Sequence, residues 1–221
     1  MKKSRKPAGN RKGAWLVQEK EFGARYFGTV PEDRLDLEED TYGLAGRMKL
    51  MYDFSPEEIT GYVRTLDEKT GMIHTSYQWQ GHQIETMVFA SVKENLVFFE
   101  ISADELCLNL TAAFQPELKN AYLNYNMGGF YFETKKRKAL LIGKGELKTD
   151  GFPKADENGI HIKNASKVAF RIFMKSESPR KGTKTMVQAT EMQMAMNRYL
   201  AGTDDISREA LIRFQENRDV F

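Results

Sequence analysis

Cysteine is almost absent. Cys107 stands alone in 221 residues, so no internal disulfide can staple the fold. It lies in the apolar run Leu106-Cys107-Leu108, which reads as an inert core thiol. Histidine is nearly as scarce: His74, His82 and His161 are the three in the chain, and their spacing matches no zinc-ligand motif. Net charge is small, +2 from 33 basic and 31 acidic residues, which argues against a protein held to nucleic acid by phosphate contacts. No apolar run is long enough to span a membrane, and the basic start is not followed by an apolar stretch of signal-peptide length. No GxGxxG, GxxxxGK[ST] or GxSxG motif occurs, so no nucleotide cofactor and no nucleophile elbow is expected. These absences predict a cytoplasmic protein without cofactor or metal, away from membranes and nucleic acid.

Apolar residues are plentiful. They make up 41% of the chain and aromatics 11%, enough for a sizeable core. The basic residues of the first twelve positions precede any acid, and the segment 1–20 reads as a flexible, solvated arm. Alternation then dominates. In 47–54, Met48, Leu50, Tyr52 and Phe54 share one face while Arg47, Lys49 and Asp53 share the other, the period of a half-buried strand. Ile73, Thr75, Tyr77 and Trp79 alternate with polar residues up to a turn at Gln80-Gly81-His82, and Ile84, Thr86 and Val88 resume the pattern. That is a hairpin signature. Further strands are expected at 96–101, 106–110, 130–134, 139–142, 145–149, 160–163 and 168–174, with a loop-like stretch over 114–129. Many short strands with frequent turns predict an antiparallel sandwich or barrel over 21–176. After the linker Ser178-Pro179-Arg180-Lys181-Gly182, helical spacing begins. Met186, Ala189, Met192 and Met196 fall near one face of a first helix, and Thr203-Asp204-Asp205 offers capping chemistry for a second, giving a two-helix extension over 177–221. The Met-rich stripe suits packing onto the domain, or a homodimer through the C-terminal helices.

Candidate chemistry is sparse. Carboxylates cluster at Glu32-Asp33, Glu38-Glu39-Asp40 and Glu57-Glu58, but runs of this kind suit solvated loops, and none is assigned a catalytic role. Aromatic side chains stack on the apolar face of a pyranose. Trp79 beside the hairpin turn is the first candidate sugar contact, with Tyr77 and His82 beside it. Trp79 shares a strand face with Ile73 and Tyr77, which favours the core for it.

One resemblance extends these readings. The stretch Phe22-Gly23-Ala24-Arg25-Tyr26-Phe27-Gly28-Thr29-Val30-Pro31-Glu32-Asp33, running on to Glu38-Glu39-Asp40-Thr41, resembles the opening of the N-terminal domain of family-95 glycoside hydrolases, the α-L-fucosidase family. Leu50-Met51-Tyr52-Asp53-Phe54 is similar to that family's "LxLxF" strand. Residues 62–67 with Thr70-Gly71 resemble "YxRxLDLxTG". Val88-Phe89-Ala90-Ser91 with Asn95-Leu96-Val97 resembles a "VFAS…VxV" pair. The likeness runs through 22–110. It departs in a shortened loop at Tyr42-Gly43-Leu44-Ala45-Gly46 and in Glu38 where the family has Asn. The resemblance implies an antiparallel β-sandwich of the family-95 N-terminal type with a non-catalytic, carbohydrate-associated role. It places the family's catalytic residues in an (α/α)6 barrel that follows the sandwich, so none is carried over. It implies carbohydrate or a separate catalytic barrel chain as partners, and leaves open a structural protein that kept the fold without sugar chemistry.

Overall fold

A computed structural model describes residues 14–19, 24–30, 46–67, 71–91, 96–116, 120–136, 139–178 and 180–202. Two antiparallel sheets face one another. The six-stranded sheet runs in the order β1 (Ala14–Glu19), β2 (Ala24–Val30), β3 (Gly46–Tyr52), β8 (Leu108–Pro116), β13 (Gly159–Ala165), β12 (Phe152–Asp156). The eight-stranded sheet runs β4 (Ile59–Asp67), β5 (Met72–Trp79), β6 (His82–Ser91), β7 (Leu96–Ala103), β14 (Lys167–Glu177), β11 (Ala139–Thr149), β10 (Gly129–Lys136), β9 (Tyr122–Asn126). One helix, α1 (Thr185–Gly202), follows. The expected second helix and the acidic stretch 31–41 lie outside the described residues. β1 falls within the segment 1–20 assigned to an arm. No helix among the described residues is long and apolar enough to cross a membrane.

The alternation in β3 translates directly into burial: Met48, Leu50 and Phe54 are in the core, while Met51 is exposed. The β5–β6 hairpin turns on Gln80-Gly81, both with positive φ (49° and 87°), so the two-residue loop matches the twist of its strands. β7 is different. All six of its first residues are buried, because both faces of the eight-stranded sheet are covered there. Val97, Phe99 and Ile101 face the other sheet. Leu96 and Phe98 join a second cluster with Met87 and Phe89.

Across the sandwich, Phe114 of β8 stacks on Phe130 (4.7 Å) and Phe132 (4.6 Å) of β10. Their space comes from glycine. Gly145 and Gly143 of β11 stand opposite Phe130 and Phe132 in register, and a Cβ at either would strike those rings. The Gly143-Lys144 break, expected between strands at 139–142 and 145–149, therefore lies inside one continuous β11. The 114–129 stretch also differs from expectation. It holds β9, whose Leu123 and Tyr125 pack inward while its asparagines face out.

Helix α1 packs its Ala189, Met192, Met196 and Leu200 on Leu140, Ile142 and Phe173, the outer face of β11 and β14. The Met192–Met196 stripe thus meets the chain's own sheet, which takes the surface read as a homodimer contact. Met186 of the same expected stripe is exposed.

Candidate functional site

Two surface features gather polar side chains. The first surrounds the β5–β6 turn. Trp79 pairs with His82 across the hairpin and is half-buried. One of its faces stacks on Phe54 (4.7 Å), which stacks in turn on Tyr52 (4.9 Å). Its Nε1–H donates to Glu58 Oε2 at 3.2 Å. Glu58 also accepts the Ser55 N–H at 3.0 Å, and the Ser55 hydroxyl accepts the Glu57 N–H at 3.4 Å, the reciprocal bonding of a Ser-x-x-Glu turn. The three sugar contacts expected from the sequence divide here. Tyr77, 2% exposed, is a core residue and cannot meet a ligand. Trp79 has one face occupied. His82 reaches the surface.

His82 Nδ1 lies 3.2 Å from Asp104 Oδ1, and Asp104 Oδ2 accepts the Gln83 N–H at 3.1 Å. The Gln83 N–H, then His82, holds the Asp104 carboxyl below its ordinary range. Cys107, three residues on, is half-buried in a turn rather than in the core, while Leu106 beside it is exposed. Burial first, then the Asp104 charge, pushes its thiol up. The donor atoms of His82, Asp104 and Cys107 all lie within 4.8 Å of one another. Spacing along the chain gave no sign of this group, because 22 residues separate His82 from Asp104. The Ile84–Ala103 register of β6 with β7 brings them together.

The second feature is a concavity of about 780 Å³ on the outer face of the six-stranded sheet. Met51, Thr111, His161 and Lys154 form a straight row through it, each the register partner of the next across β3, β8, β13 and β12. The His161 ring is held at both nitrogens: Nδ1 by Thr111 Oγ1 at 2.9 Å and Nε2 by Asp156 Oδ2 at 2.9 Å. The Asn158 N–H, then His161, lowers the Asp156 carboxyl. Asn109 Oδ1 accepts the Asn164 N–H at 3.0 Å beside this row. Among the described residues lining the concavity, Asp53 is the one carboxylate, so a facing carboxyl pair of the kind that cleaves glycosides is not assembled from its lining. The row was missed because its members lie on four strands, each alternating with core residues.

A family model described as glycosyl hydrolase family 65, N-terminal domain, matches residues 38–196. Among solved structures, a putative kojibiose phosphorylase from human microbiome is similar with a TM-score of 0.52 at 9% identity. The similarity covers 88% of this chain and 28% of that one, a likeness of fold to part of a longer protein. No curated protein matches.

Proposed function

Because this chain belongs to the glycosyl hydrolase family 65 N-terminal domain family, we propose that it serves as the non-catalytic, carbohydrate-associated sandwich of a larger glycoside-processing enzyme. Its partner in this reading is a catalytic domain, in the same polypeptide or on a separate chain, whose substrate approach the sandwich helps to shape. One observation carries the reading. The family match runs from ahead of β3 into α1, so the whole eight-stranded sheet, the β3, β8, β13 and β12 strands of the six-stranded sheet and most of the covering helix fall in a single domain type. The Met51–Thr111–His161–Lys154 row supplies the sugar-facing surface. Hydroxyl, imidazole and ammonium groups lining a concavity beside an apolar contact suit a hydroxyl-rich ligand.

The relation to family 95, the α-L-fucosidase type, rests on the motifs at 22–41, 50–54, 62–67 with 70–71, and 88–91 with 95–97, of which 62–67 falls on β4 and 88–91 on β6. Trp79 and His82 are the second candidate contact in that reading. Calorimetric titration of the purified chain with kojibiose and with fucosylated and galactosylated oligosaccharides tests both. Binding heat lost on His161→Ala or Lys154→Ala supports the concavity, and loss on Trp79→Ala moves the contact to the hairpin. Heat from fucosylated sugars alone favours family 95. A flat trace across the panel sinks the sugar-facing surface and leaves the interaction-protein reading. Hydrolysis of an aryl α-L-fucoside by this chain alone would overturn the non-catalytic role.

A further inference from the structure

The group at the hairpin end contains one nitrogen, one oxygen and one sulfur donor, delivered from two connections. His82 opens β6, and Asp104 and Cys107 lie between β7 and β8. In a tetrahedral site with zinc–nitrogen and zinc–oxygen bonds of about 2.0–2.2 Å, neighbouring N and O ligands stand about 3.3 Å apart. The His82 Nδ1–Asp104 Oδ1 separation is 3.2 Å. A thiolate at a zinc–sulfur bond of about 2.3 Å would stand about 3.6 Å from either, so the Cys107 sulfur has at most about 1.2 Å to close from its present limit of 4.8 Å.

We propose that His82, Asp104 and Cys107 form a binding site for a borderline-soft divalent cation of the zinc type, which clamps the β5–β6 hairpin to the β7–β8 connection. Sulfur and imidazole ligands select this class over magnesium or calcium, which take oxygen. The surroundings are prepared for a cation. Gln83 N–H occupies Asp104 Oδ2 and leaves Oδ1 directed at His82, the outer hydrogen bond that orients a metal-ligating carboxylate. As the sulfur–metal bond forms, the Cys107 S–H proton passes to solvent, so affinity falls as pH is lowered.

The test uses the full chain with zinc, and with cobalt(II) as the spectroscopic probe. One ion per chain is expected, with a sulfur-to-cobalt charge-transfer band. Cys107→Ser should abolish that band, and both Cys107→Ser and His82→Ala should weaken zinc binding at least tenfold. His74→Ala, at an exposed histidine elsewhere on β5, should bind as the parent does. Alkylation of Cys107 in the unaltered chain should slow when zinc is added, a readout that needs no variant to fold. Unchanged alkylation, equal zinc affinity in parent and Cys107→Ser, or a loss in His74→Ala as large as in His82→Ala would each overturn the site.

Discussion

Tyr125 shows how a single hydroxyl closes a strand end. β13 pairs with β8 as far as Ala112, and the backbone of Phe114 lies beyond it. The Tyr125 hydroxyl, coming from the opposite sheet, accepts the Phe114 N–H at 2.8 Å and donates to the Phe114 carbonyl at 2.6 Å. Tyr125→Phe keeps the ring and orphans both groups, so it should lower stability by about 1–3 kcal/mol in urea unfolding. Glu177 acts where β14 hands the chain to α1. Lys175, then Gln188 and Arg180, hold its carboxyl down at about 2, against an ordinary value of 4.5. The native state therefore keeps this group ionised where the unfolded chain binds a proton. Its contribution is full above about pH 4.5 and is lost as pH falls towards 2. Glu177→Gln should cost about 1–2 kcal/mol at neutral pH and nothing well below pH 2, flattening the acid limb between them. Denaturant unfolding across pH checks it. At this scale the sequence was least informative. The pairing of His82 with Asp104 and the row through His161 depend on register, which alternation alone does not fix.

Elements were more legible than residues. Strands whose two faces differ, such as β3 and β5, are marked by alternation, and the Gln80-Gly81 turn by its glycine. β11 was not, because glycine within a strand reads as a break unless the ring that fills its place is known. Gly145→Ala puts a Cβ against Phe130 and should destabilise by about 2–4 kcal/mol, with part recovered by adding Phe130→Leu. Thermal unfolding of the single and double variants tests that coupling. β9 was hidden by asparagines that belong to its outer face. Helix α1 was legible in the period of Ala189, Met192 and Met196 but not of Met186, and which surface its methionines meet is a tertiary fact. Met196 is 1% exposed, and Met196→Ala should cost about 2–4 kcal/mol. Hydrogen exchange should accelerate in α1 and β11 while the β5–β6 pair keeps its protection.

On the scale of the whole molecule, the sandwich has open margins. β4 ends the eight-stranded sheet and exposes Tyr62, Val63 and Leu66. An edge strand with exposed apolar side chains templates further pairing. Val63→Lys with Leu66→Lys should suppress concentration-dependent association in light scattering while changing stability by no more than about 0.5 kcal/mol. The centre of that sheet has another consequence. β14, the last strand of the chain described, lies between β7 and β11. A ribosome delivers β4 to β7, then β9 to β11, before the strand that joins them exists. Until Glu177 has emerged, both halves carry a bare inner margin with the pairing groups of β7 and β11 unmet. A nascent chain stalled short of that residue lacks the middle of its sheet rather than its end, and is the species a chaperone would have to shield.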